Sequence, residues 1–181
     1  MKKAYVFLAT GFEETEALGT VDVLRRAELP VETVSITGQH AVTGAHHVTI
    51  EADSLFEDVC LKDALALVLP GGLPGATNLN DFEPLRAALK KQYEEGRVVA
   101  AICAAPMVLG GLDMVSGRRA TCYPSFEKYL PGAHTCGADV EVDGNVITGK
   151  GPALVFKFGT AIVAALCGAE KADEVAAGLL M

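Results

Sequence analysis

Short uncharged apolar runs recur along this chain, and most are followed by a stretch whose apolar positions return at helical spacing. Ala4–Ala9 predicts a first strand, and Glu14–Ala27 predicts a helix with Leu18, Val21, Val23 and Leu24 toward a core. Val31–Ile36 reads as a second strand, while Ala41–Val42 and Val48–Ile50 flank Thr43-Gly44-Ala45 as a short hairpin. Ala64–Leu69 is a buried strand ending in Pro70-Gly71-Gly72, Glu83–Glu95 is a helix stopped by Gly96, and Val98–Ile102 is a further strand. A helix follows from Ala104 to about Leu112, then an irregular segment from Thr121 to Gly137. Asp139–Val142 and Asn145–Thr148 predict a second hairpin over Asp143-Gly144. Pro152 suits the first turn of a long apolar helix to Leu166, and Ala169–Leu180 predicts the last helix.

Alternation of this kind means an α/β fold: a mostly parallel sheet covered by helices on both faces, with the hairpins as antiparallel additions. No repeat, linker or low-complexity segment interrupts it, so residues 1–181 are expected to form one domain. In such folds ligands collect at the carboxyl ends of the strands. Three loops fall there: Thr10–Glu16, Pro70–Gly75 and the corner at Cys103.

Composition narrows the classes of function. Half of the 181 residues are apolar, which is enough to bury a sizeable core. A net charge of −8 disfavours nucleic acid, whose phosphates need a basic footprint, and equally disfavours an anionic membrane surface. The apolar run after Met1-Lys2-Lys3 is too short for a signal sequence, and the longest uncharged stretch, Val98 to Leu112, falls below membrane-spanning length and carries Pro106. A cytoplasmic location is expected.

Five cysteines form no C-x-x-C pair, and an odd total argues against a disulfide framework. Cys60, Cys122, Cys136 and Cys167 are scattered and carry no sign of chemistry. Cys103 differs, because it closes a β-branched strand and opens a run of small, helix-forming residues. A thiol on such a strand-to-helix corner is exposed on strained backbone, and a helix N-terminus lowers its pKa toward a thiolate nucleophile. A small core hydrophobe is the other reading of the same position. The glycines of Pro70–Gly75 offer backbone N–H groups to an oxyanion, or simply a turn. Glu13 and Glu14 read as a solvated acidic helix start, whereas Glu16, flanked by Ala17 and Leu18, can turn inward. Buried there, its carboxyl would be raised in pKa and able to donate to a thiolate or to work as a general acid/base.

Four segments, in order, carry a resemblance: Ala9-Thr10-Gly11-Phe12-Glu13-Glu14-Thr15-Glu16, Val68-Leu69-Pro70-Gly71-Gly72, Ala100-Ala101-Ile102-Cys103-Ala104-Ala105-Pro106 and Thr148-Gly149-Lys150-Gly151-Pro152. Together they resemble the ThiJ/PfpI superfamily, in the branch of the parkinsonism-associated protein deglycase and its bacterial relatives. The resemblance implies a flavodoxin-like three-layer α/β sandwich and a homodimer. It carries the nucleophile onto Cys103, the partner carboxyl onto Glu16, and the oxyanion donors onto Gly72 and Ala104, with Gly71 beside them. It further implies that His46, and Arg26 from a partner subunit, border the pocket.

The chain also departs from the family pattern. Tyr123 stands where human-type members carry histidine, and a phenol with a pKa near ~10 is a poor base at neutral pH, so Glu16 inherits the proton transfers. Ala104 replaces the histidine that follows the cysteine in the proteolytic branch, which argues against a peptidase. His134 is followed by Thr135-Cys136, not by the His-x-Glu of amidotransferases, and His40, His46 and His47 read most simply as surface residues. The resemblance thus implies a cofactor-free, metal-free glyoxalase or deglycase acting on small α-oxoaldehydes or on glycated protein. The alternative is a redox sensor or stress chaperone that works through oxidation of Cys103.

Overall fold

The computed structural model describes residues 2–181. Strand β1 (Ala4–Leu8) leads into helix α1 (Glu14–Arg26), and the chain returns through β2 (Val31–Ser35). A small hairpin, β3 (Ala41–Thr43) and β4 (Thr49–Glu51), precedes the two-residue strand β5 (Ser54–Leu55). Next come β6 (Ala66–Leu69), helices α2 (Gly75–Asp81) and α3 (Glu83–Glu94), strand β7 (Val98–Ile102) and the short helix α4 (Pro106–Gly110). Strands β8 (Arg119–Ala120) and β9 (His134–Thr135), the hairpin β10 (Val140–Asp143) and β11 (Val146–Gly149), and helices α5 (Val155–Cys167) and α6 (Ala169–Gly178) complete the chain.

The main sheet runs β10-β11-β7-β6-β1-β2-β5, and every neighbouring pair is parallel except the β10–β11 hairpin. Each residue of β1, β6 and β7 is buried. Strands covered on both faces gain from apolar side chains at every position, which is why their sequences run uncharged instead of alternating. Helices α1 and α5 pack together on one side, and α2, α3 and α4 lie on the other, giving the three layers of a flavodoxin-like α/β sandwich. Two glycines let α1 and α5 approach closely: a Cβ on Gly19 would lie 2.9 Å from Val155, and one on Gly159 would lie 2.8 Å from Val23. A smaller apolar cluster of Leu8, Phe12, Ala17, Val42 and Ala52 seats the β3–β4 hairpin beside the end of β1.

Several expectations need correction. Leu18 is 43% exposed, because the inward stripe of α1 is Glu16, Ala17, Thr20, Val21, Val23 and Leu24. Ala104 and Ala105 belong to a turn, and α4 spans only Pro106–Gly110, its end pressed against the carbonyl of Tyr129. The second hairpin turns at Gly144-Asn145, since Asp143 pairs with Val146. Neither α2, built largely of polar residues, nor the brief β5 gives a periodic signal long enough to read.

Candidate active site

The loops that follow β1 and β6 are joined by hydrogen bonds to main-chain carbonyls. The Glu13 N–H donates to the Gly71 carbonyl at 3.0 Å, the Gly75 N–H donates to the Gly11 carbonyl at 3.1 Å, and the Asn78 side-chain amide donates to the Thr10 carbonyl at 2.8 Å. Glycine is required at position 72, whose φ is +86° and where a Cβ would fall 2.4 Å from the Glu13 nitrogen. This close weave holds the first turn of α1 against the loop after β6, whose Gly71 packs on Cys103 at the end of β7.

Cys103 stands at that junction with φ +64°, a left-handed conformation unfavourable for a side-chain-bearing residue. Neighbouring backbone holds it there on both sides: its N–H donates to the Gly149 carbonyl at 2.9 Å, and its carbonyl accepts from the Tyr123 N–H at 2.8 Å. Strain concentrated at one satisfied residue turns the side chain out of the strand direction and into the loops. The N–H groups of Gly72 and Ala104 both point at the sulfur and favour its anionic form.

Glu16 is fully buried. Its position follows from α1, whose first turn is capped by Glu13: the Glu16 N–H donates to Glu13 Oε2 at 2.6 Å. The Gly71 N–H donates to Glu16 Oε2 at 2.7 Å. The other oxygen, Oε1, is buried with no conventional hydrogen-bond partner, and the carboxyl is coupled to the Cys103 thiol. Burial pushes the Glu16 carboxyl up to about 7, against the pull of the Gly71 N–H and the thiol.

The thiol does not behave as its position on the strand-to-helix corner alone predicts. Burial first, and the Glu16 carboxylate second, push Cys103 up to about 12, outweighing the Ala104 and Gly72 N–H groups. Helix α4 is too short and starts too late to reverse this. As pH rises through about 7 the pair therefore loses one of its two protons and takes on a single negative charge, the carboxyl ionising first while the thiol keeps its hydrogen.

The sulfur opens into a cleft of ≈ 250 Å³ lined by Ala45, His46, Gly72, Leu73, Cys103, Ala104, Tyr123 and Phe126. Of the sequence-assigned residues, Cys103, Gly72 and Ala104 line the cleft with Tyr123 and His46, while Glu16 and the Gly71 that holds it lie buried beside the sulfur. Arg26 is not among them in the single chain: its side chain is exposed and its Nε donates to Asp22 Oδ2 at 2.7 Å. Glu13 and Glu14 are buried, contrary to the solvated helix start expected of them. Glu14 reaches out to the loop after β3, accepting from the His46 N–H at 2.7 Å, the His46 ring at 2.9 Å and the Val48 N–H at 3.3 Å. Thirty-odd positions separate the partners and no periodicity links them, so the sequence carries no local sign of the contact. Among the described residues, Glu13, Glu14 and His46 are the group whose ligand atoms lie within 4.8 Å of one another, as a metal would need. The Glu14 oxygens are already engaged by those three donors, so the cluster is accounted for as hydrogen bonding within the protein. A second cleft of ≈ 320 Å³, beside Thr10, Thr37 and Phe82, is lined by no cysteine or histidine.

Comparison with known proteins bears on the family and the fold. The DJ-1/PfpI family profile matches residues 2–165. Protein dj-1beta of Drosophila melanogaster is 38% identical over 99% of this chain and 97% of its own length. Protein DJ-1 homolog B of Arabidopsis thaliana is 39% identical over 99% of this chain, which spans only 42% of that longer protein. A Pyrococcus abyssi protein named a deglycase is 31% identical over 86% of this chain and 94% of its own. Among solved structures, Drosophila DJ-1beta superposes with a TM-score of 0.94 at 38% identity, covering 100% of this chain and 99% of that one. A cysteine mutant of a DJ-1 superfamily protein from Salmonella typhimurium gives 0.93 at 36% identity, covering 99% and 98%. No described helix is long and apolar enough to cross a membrane. With this fold and this match along nearly its whole length, the chain belongs to the DJ-1/PfpI family.

Proposed function

We propose that this protein is a cysteine-dependent glyoxalase or deglycase that needs no cofactor and acts on small α-oxoaldehydes or on their adducts with protein. One observation carries the reading: Cys103, on strained backbone at the floor of a cleft, is hydrogen-bonded to a buried carboxyl raised to about 7. A general base is most effective when its pKa lies near the working pH.

With methylglyoxal as substrate, Glu16 takes the thiol proton as sulfur adds to the aldehyde carbon, and the new alkoxide takes that proton back. The result is a hemithioacetal with Glu16 ionised again. The Gly72 and Ala104 N–H groups lie beside the carbon that sulfur has attacked and stabilise the developing oxyanion. Glu16 then removes the hydrogen from that carbon, and reprotonation at the adjacent carbon leaves a thioester of a 2-hydroxy acid. Water hydrolyses it, releasing lactate and restoring the thiol. In deglycation sulfur displaces the amine or thiol of the adduct, whose bond to the carbon breaks as Glu16 passes the Cys103 proton to it, and the same hemithioacetal then follows the same steps. The apolar walls, Leu73, Tyr123 and Phe126, suit a small neutral aldehyde.

The test is methylglyoxal loss and lactate formation without glutathione, for wild type, Cys103→Ser and Glu16→Gln. Turnover in wild type that is lost in both variants supports the reading. The rival reading, a redox sensor in which Cys103 becomes a sulfinate held by Glu16, is favoured by the same N–H pair at the sulfur. It gains the upper hand where wild type shows no turnover and peroxide modifies Cys103 selectively. Assembly as a homodimer, with Arg26 of each chain near the other's cleft, is part of the proposal.

A further inference from the structure

The geometry points to His46, oriented by Glu14, as a second acid/base of the cleft, one that moves the oxygen-bound protons of the substrate while Glu16 moves the carbon-bound one. This inference rests on the isomerisation proposed above.

His46 lies on the wall of the cleft that has Cys103 at its floor. Glu14 fixes it twice, at the main-chain N–H (2.7 Å) and at the ring Nδ1 (2.9 Å). The loop is shaped to this contact, since a Cβ on Gly44 would lie 2.3 Å from Glu14 Oε1. Burial works against ionisation of Glu14, but the donors from His46 and Val48 hold its carboxyl below the ordinary range. An ionised carboxylate only accepts, so Nδ1 carries the hydrogen and Nε2 is left as the exchanging nitrogen. The charged and titratable groups around the ring are Glu14, Glu13 at 3.9 Å, and, across the cleft, Tyr123 and Cys103 with Glu16 buried behind it. The Glu14 contact raises the imidazole toward its protonated form.

Isomerising a hemithioacetal requires proton exchange at two oxygens as well as at two carbons. When Glu16 takes the hydrogen from the first carbon, that C–H pair forms the double bond of an enediol, and the neighbouring carbonyl oxygen takes the proton from Nε2. On return, Glu16 gives its proton to the second carbon while the hydroxyl proton on the first returns to Nε2, leaving the thioester. Both residues end in the state in which they began. A carboxylate–imidazole pair here supplies the imidazole that Tyr123 cannot.

The experiment is the pH profile of kcat for methylglyoxal in wild type, His46→Gln and Glu14→Gln, alongside the rate at which iodoacetamide alkylates Cys103. Wild type is expected to give a bell, with the alkaline limb set by His46. His46→Gln is expected to lose that limb and about 100-fold in kcat, with KM and the alkylation rate little changed. Glu14→Gln keeps a hydrogen bond but not the charge, so its alkaline limb should move to lower pH. Wild-type turnover with an unaltered profile in His46→Gln overturns the role of His46 and leaves that of Cys103 standing. Absence of turnover in wild type overturns both.

Discussion

The Gly71 N–H donates to Glu16 Oε2 at 2.7 Å, and a Cβ on Gly71 would lie 2.7 Å both from that oxygen and from the Cys103 Cβ. No side chain fits between the acid and the nucleophile. Gly71→Ala should therefore displace one of them: a loss of about 100-fold or more in kcat and of about 1–3 kcal/mol in stability from overpacking. Denaturant unfolding and steady-state kinetics check both. Full activity in Gly71→Ala would show that the carboxyl and thiol need not be held this closely.

Glu16 should leave its mark on stability as a function of pH. Its folded pKa is raised from 4.5 to about 7, so the folded state binds the proton more tightly than the unfolded chain does. The stability this gives is fully present below about 4.5 and is lost as pH rises through about 7. Glu16→Gln has no such loss. Its unfolding free energy relative to wild type should improve by about 3 kcal/mol between pH 4 and pH 8. Parallel curves for the two proteins would show that the carboxyl is not shifted.

Alkylation of Cys103 reports its coupling to Glu16 directly. In wild type the pair acquires its negative charge near pH 7, so the rate with iodoacetamide should rise through an inflection close to the Glu16 value of about 7. Removing the carboxyl by Glu16→Gln leaves a buried thiol to ionise alone, and the inflection should move upward. It should remain below about 12, because the Glu16 charge contributes to that value. An inflection that stays in place contradicts the coupling.

The α1–α5 contact offers a test independent of the site. Gly159→Ala improves helix propensity by ~1 kcal/mol, but its methyl would meet the fully buried Val23 at 2.8 Å. The net effect should be a loss of about 1–2 kcal/mol, partly recovered in the Gly159→Ala, Val23→Ala double variant. Independent, additive effects in thermal melts would argue against direct contact.

Much of this was legible along the chain. Strands buried on both faces must be apolar at every position, so β1, β6 and β7 announce themselves within a residue or two, and Val98–Ile102 without any error. Helix boundaries were less legible. Ala104 and Ala105 favour a helix intrinsically, yet the Cys103 backbone and the packing of Gly110 on Tyr129 confine α4 to five residues.

The sequence by itself determined the sheet's buried strands, their alternation with helices, and Cys103 as the residue on the corner. Those are local matters of propensity and hydrophobic run. Only the tertiary structure decided the charge state of the site and its second cluster. The thiol's ionisation depends on burial and on a carboxyl brought from 87 positions earlier in the chain, and these outweigh the N–H groups of Ala104 and Gly72. Glu14 looked like a solvated helix start until a loop folded over it and placed His46 at the cleft. Desolvation and long-range hydrogen bonding depend on what packs around a group, which no local pattern of residues encodes.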